Sequence, residues 1–240
     1  MHRSAPRLTR ILACAAVPVM LVVAGCSSDS DGGADTPDKG KGSASSTPSP
    51  TPTKTVEPAK FAKLPEVCKA ISAKTTASLV PKAKAKNGTA TATSDATSRG
   101  GCSWNGLDDK GVKGSQYRWL DVSFYRYASD ASLGSGEKRA QDNFAKELAK
   151  LQATEGAKKL RTADGSGIGD QSTTVAYDLK KTDEDFKYAS VVARTGNVLV
   201  LLTYNGAGYA GADTPSDKTV LDGAVKASKE AVAAVAAANK

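Results

Sequence analysis

Apolar and polar residues alternate along this chain in several distinct rhythms, and each rhythm predicts a different element. Ile11 to Ala24 is a continuous apolar run behind Arg3, Arg7 and Arg10. Residues 27–57 are Ser, Thr, Gly, Pro and Asp with almost no apolar side chain, too little to offset the entropy of ordering. From residue 58 onward, periodic segments return. Phe61, Leu64, Cys68 and Ile71 fall on one helical face with Pro65 suited to a first turn, and Ser72 is placed to cap a second short helix ending before Pro81. Residues 82–100 are polar and read as a long loop in which Asn87-Gly88 is a turn signal.

Gly101–Asn105 and Gln116–Tyr127 read as strands, the second rich in aromatic and β-branched residues. Ala140, Phe144, Leu148 and Leu151 recur at helical spacing within Ser135–Ala153. Residues 173–179, 186–195 and 198–205 are further strands, with Gly196-Asn197 as a two-residue hairpin turn and Val198–Leu202 apolar enough for a sheet centre. Asp217–Asn239 closes the chain as a helix with Leu221, Val225, Ser228, Val232 and Val235 along one side. Helices, paired strands, a helix, three strands and a helix imply an α+β domain. Its mainly antiparallel twisted sheet of five to six strands is flanked by helices, the last packed on one face. Domain size agrees, with 58–240 as one unit.

The apolar run 11–24 is too short to span a bilayer, and its basic flank makes it a signal-peptide core. It ends in Val23-Ala24-Gly25-Cys26. That sequence resembles the lipobox of bacterial lipoproteins, which implies cleavage after residue 25 and a diacylglyceryl group on Cys26. Residues 26–57 then form a disordered tether, with a typical reach of roughly 30 Å and about 100 Å when pulled straight. The protein is expected at the outer face of the cell membrane, with the membrane itself as its first partner.

Cleavage at that point edits the chemistry. His2, Met1, Met20 and Cys14 leave with the signal peptide, so the mature chain has no imidazole. Ser-His-Asp and Cys-His nucleophiles and His-ligated zinc are excluded. Carboxylate pairs and Ser-Lys dyads remain, though no cluster in the sequence points to them. No cofactor and no metal is expected. Cys68 and Cys102 are left as a pair in an exported domain, where paired cysteines are usually disulfides; the alternative is a reactive thiol beside a buried one. Residues 58–240 carry 27 Lys and Arg against 20 Asp and Glu. That excess favours an anionic envelope component or a partner protein near the membrane, or serves solubility alone; nucleic acid is not an expected partner of an exported protein.

Three motifs invite chemistry. Gly165-Ser-Gly-Ile-Gly-Asp170 precedes a strand where a dinucleotide fingerprint needs a helix, so it reads as a tight turn with Asp170 bonding backbone amides. Thr182-Asp-Glu-Asp185 lacks the Gly and distal Glu of a calcium loop and reads as a solvated hairpin end. The strand Tyr117–Tyr127 is the candidate site. Period-2 geometry puts Leu120, Val122 and Phe124 on one face; Tyr117, Trp119, Asp121, Ser123, Tyr125 and Tyr127 fall on the other. Tyr117, Trp119, Asp121, Tyr125 and Tyr127 combine amphipathic aromatics with a carboxylate, the mixture of a groove for sugars, peptides or lipid-like molecules. The alternative is a face covered by helices, with the tyrosine hydroxyls at its rim.

The whole layout runs from lipobox and low-complexity tether through Cys68, Cys102-Ser-Trp104 and the Gly165–Asp170 turn to an Ala-rich final helix. It resembles actinobacterial extracytoplasmic lipoproteins of unknown function, and is similar in layout to the extracellular sensor domains of mycobacterial Ser/Thr kinases. The resemblance implies a binding or sensing module and brings no catalytic residues. A non-catalytic binding lipoprotein is therefore the expected function. The other classes are an envelope hydrolase using carboxylate or Ser-Lys chemistry and a structural subunit of an envelope complex.

Overall fold

The computed structural model describes residues 55–240; the signal peptide, Cys26 and most of the tether lie outside the described residues. The domain is α+β: one seven-stranded sheet, antiparallel throughout, with helices on both faces. Strands β1 (Thr89–Ala90), β2 (Arg99–Asp109) and β3 (Ser115–Arg126) are followed by α2 (Gly136–Gln152); α1 (Ala73–Leu79) precedes them. Next come β4 (Lys158–Asp164), β5 (Gln171–Lys181), β6 (Glu184–Thr195) and β7 (Val198–Tyr209), then α3 (Asp217–Ala237). The spatial order is β1-β2-β3-β7-β6-β5-β4. β3 and β7 lie side by side at the centre, with Leu120 opposite Tyr204 and Phe124 opposite Val200.

The expected five to six strands become seven. β1 is a two-residue strand inside the stretch read as loop, and Ala83 in the same stretch bridges Gly106. β4, KKLRTAD, was assigned no element because its charged residues hide any alternation; it forms an exposed edge. Charged side chains on such an edge discourage pairing with another chain. Four of the five expected strands lengthen, because backbone pairing with neighbours continues beyond their apolar stretches, while Gln116–Tyr127 keeps its length and shifts by one residue to Ser115–Arg126.

One face of the sheet carries Cys102, Trp104, Leu120, Val122, Phe124, Val191, Val200, Leu202 and Tyr204, all buried. The α3 helix packs here through Val220, Ala224, Ala227, Ala231 and Val235. This stripe is rotated from the expected one. Leu221, Val225 and Val232 are only partly buried, because the small Ala stripe allows closer approach to the sheet. Gly223 lies so close that a Cβ there would stand 2.8 Å from Tyr204 Cε1.

The expected opening helix is a correction. Only a 3-10 turn forms, at Val67–Lys69, and Phe61–Lys63 are not helical. Their backbone groups are taken by side-chain amides instead: Asn197 accepts from Phe61 N at 2.7 Å, and Asn239 accepts from Ala62 N at 2.9 Å and Lys63 N at 3.0 Å. A residue before proline also disfavours helix, and Leu64 precedes Pro65. The second helix is as expected, with Ser72 Oγ accepting from Thr75 N. A Cys68–Cys102 disulfide pins the 3-10 turn to β2.

Candidate functional site

The opposite face of the sheet is where the aromatics collect. Six of the seven tyrosines pack there: Tyr117, Tyr125, Tyr127, Tyr177, Tyr188 and Tyr209. The α2 helix lies over the β5–β7 part of this face through Phe144, with Leu148 and Leu151 beside it. It is amphipathic at helical spacing, and Ser135 Oγ caps it by accepting from Lys138 N. One helix is about 10 Å wide while neighbouring strands are about 4.8 Å apart, so it shields only part of seven strands.

β3 runs along the margin of that cover. Its residues Tyr117, Trp119, Asp121, Ser123 and Tyr125 are half-buried, alternating with the fully buried Leu120, Val122 and Phe124. Three cavities follow the strand. At one end, about 400 Å³ is lined by Tyr117, Tyr209, Leu107, Ser115, Asn105 and Lys84. In the middle, about 230 Å³ under α2 is lined by Asp121, Ser123, Thr203, Glu147, Lys150 and Leu151. At the other end, about 250 Å³ is lined by Ser123, Tyr125, Arg99 and the segment Thr91–Ser94. Ser123 belongs to the last two, so they adjoin. Trp119 sits between Tyr117 and Asp121 on the same face, and Tyr127 lies beyond the strand end with Arg139 5.8 Å from its ring centre.

Burial without a cationic partner pushes the Asp121 carboxyl up to about 6, against a smaller opposing effect of a hydrogen bond from Ser123. Glu147, in the same cavity, is held by Lys150 Nζ at 2.5 Å. On β7, Asn205 stands directly opposite Trp119, is 1 % exposed, and has no hydrogen-bond partner for its Nδ2. A buried amide without a partner is a costly exception in native proteins. Sequence reasoning missed Asn205, Thr203 and Glu147, because they come from β7 and α2 and reach β3 only through tertiary pairing.

The other motifs are structural. Gly167 and Gly169 have φ of 68° and 66°, and Asp170 Oδ2 accepts from Gly196 N at 2.6 Å, fastening this turn to the β6–β7 hairpin. Thr182 and Asp183 form the β5–β6 turn with φ of 47° and 67°. Among the described residues, no group of three acidic, His or Cys side chains is placed to hold a metal ion. The exposed large apolar residues there are Leu107, Val112 and Leu133; Leu107 is near the end of β2, Val112 is in the β2–β3 connection and Leu133 precedes α2. No helix of the described residues is long and apolar enough to cross a membrane.

No family model matches the chain, and no curated protein matches it. Among solved structures it is similar to LpqN, whose crystal structure is described as that of a protein involved in cell envelope biogenesis of Mycobacterium tuberculosis. The likeness is weak: 13% identity and a TM-score of 0.32, over 55% of this chain and 68% of that one.

Proposed function

We propose that this chain is a membrane-anchored extracytoplasmic lipoprotein whose domain is a non-catalytic binding module of the cell envelope. Its ligand or partner is held on the part of the sheet face beside α2. One observation carries this reading: alternate residues of β3 line three cavities along a single face, with half-buried aromatics between them. A core face would bury them; a plain surface strand would not place cavities beside them. The anchor follows from the Val23–Cys26 lipobox; separately from what the β3 face holds, the excess of Lys and Arg over residues 58–240 favours contact of the domain surface with an anionic envelope component or another protein near the membrane.

Two measurements test this. Cys26→Ser moves the protein from the membrane fraction to the soluble one if Cys26 carries the lipid. Membrane pull-down with mass spectrometry of co-purifying proteins and small molecules is then run on the wild type and on the Trp119→Ala/Tyr125→Ala double variant. The reading requires a specific co-purifying species that the double variant loses while its thermal midpoint stays nearly unchanged. A collapse of stability in that variant identifies the face as core and ends the reading.

A second reading, a carboxylate hydrolase of the envelope, is favoured by Asp121 and Glu147 lining one cavity. A carboxyl that holds its proton to about pH 6 is suited to act as a general acid. It requires turnover of an envelope polymer that is abolished by Asp121→Asn and by Glu147→Gln separately.

A further inference from the structure

Building on the binding reading above, we propose that the ligand of the β3 face is a linear, uncharged oligosaccharide. From Tyr117 to Tyr125 the face runs about 27 Å at the ordinary rise per residue of a strand, so the ligand is elongated rather than compact. Aromatic rings recur along that length at Tyr117, Trp119 and Tyr125, and each pairs an apolar ring with a polar tip. Hydroxyl groups lie between and beside them: Ser123 and Thr203 in the middle cavity, Thr91, Thr93 and Ser94 in the end cavity. Sugar rings present the matching pattern, with apolar C–H faces and rims of hydroxyls that both donate and accept.

Charge narrows the class. The middle cavity holds Asp121 and Glu147, and Lys150 is already engaged by Glu147. A polyanion would meet the Asp121 carboxylate without a free cation to balance it. The cations along the strand stand at its two ends, Lys84 in one end cavity and Arg99 in the other, away from Asp121. A simple acyl chain would leave the hydroxyls and Asp121 desolvated and unpaired, which costs binding energy at each. An added peptide strand needs an open sheet edge, whereas β2 is already paired in part by β1 and by Ala83, and the cavities lie on the face of the sheet. Asn205 supplies a second observation. Its amide lies beside Trp119 on this face with an unpartnered Nδ2.

Calorimetric titration of the soluble domain tests this with four neutral probes: cellohexaose, maltohexaose, hexa-N-acetylchitohexaose and mannohexaose. Hexagalacturonate and palmitate serve as the anionic and acyl comparisons. The expected result is saturable binding of at least one neutral probe, weakened at least tenfold by Trp119→Ala and by Asp121→Ala. Ser123→Phe, which blocks the junction of two cavities while leaving the aromatics in place, gives the same loss even if Trp119→Ala proves unstable. The proposal is overturned if no neutral probe saturates, whether or not palmitate or hexagalacturonate binds. It is equally overturned if sugar binding survives Ser123→Phe. Either result leaves the binding reading itself to be decided by the membrane pull-down.

Discussion

The side chain of Asn197 holds both backbone polar groups of Phe61: it accepts from Phe61 N at 2.7 Å and donates to Phe61 O at 3.0 Å. Its Nδ2 also donates to Tyr127 O at 2.8 Å, and its own carbonyl accepts from Tyr127 N at 2.9 Å. Asn197 is fully buried. One turn residue thus ties the segment that follows the tether to the β6–β7 hairpin and to the end of β3. Asn197→Ala leaves the Phe61 N–H, Phe61 O and Tyr127 O short of a partner, and is expected to cost about 2–4 kcal/mol by urea denaturation. Asn197→Asp keeps the acceptor and loses the two donated bonds, so it is also destabilised.

Two carboxyls shift in opposite directions and give opposite pH signatures. Asp121 is raised to about 6 by burial, so the fold favours its protonated form. Stability is undiminished below pH 3.8 and falls as pH rises through 6. Asp121→Asn is therefore expected to raise the melting temperature at pH 7.5, by the equivalent of about 1–2 kcal/mol, and to change little at pH 3.5.

Glu230 behaves in reverse. Burial pushes its carboxyl up, but hydrogen bonds from Thr75 and Ser72 outweigh this and hold it below the ordinary value of 4.5. It accepts from Ser72 N at 2.8 Å and Thr75 Oγ1 at 2.5 Å, fastening α1 to α3. Its contribution is present above pH 4.5 and is lost as pH falls through the lowered value. Glu230→Gln should destabilise by about 1 kcal/mol at pH 7 and by progressively less toward pH 3, measured by thermal melts across that range.

The disulfide closes a separation of 34 residues. In the chain-entropy account its loss in a Cys68→Ser/Cys102→Ser variant costs about 4 kcal/mol, visible as a lower denaturation midpoint. Gly88→Ala tests the same corner while keeping the disulfide. Its φ of +77° is unfavourable for Ala, and the added Cβ would stand 2.4 Å from Cys102 Sγ and 2.6 Å from Trp104 Cε2. A loss of more than about 2 kcal/mol is expected in the intact disulfide form. An unchanged midpoint would mean that this corner rearranges freely.

Much of the fold was legible locally. The period-2 split of β3 is visible in its burial: Leu120, Val122 and Phe124 are fully buried, and Tyr117, Trp119, Asp121, Ser123 and Tyr125 on the other face are half-buried. The cap Ser72, the Gly196-Asn197 hairpin and Asp170's bond to a backbone amide were also visible, because each depends on residues a few positions apart or on backbone angles that only certain residues accept. The opening helix misled because its periodicity was real while its backbone partners, Asn197 and Asn239, lay more than 130 positions away.

The sequence by itself determined the kind of most elements, the α+β class and which residues of β3 are fully buried, since those follow from side-chain period and local backbone preference. Only the tertiary structure decided that β3 lies beside β7, that α2 covers part of the aromatic face, and that Asp121, Thr203, Glu147 and Asn205 share one neighbourhood. Strand order and helix placement are set by burial summed over the whole sheet, a property that no single segment carries.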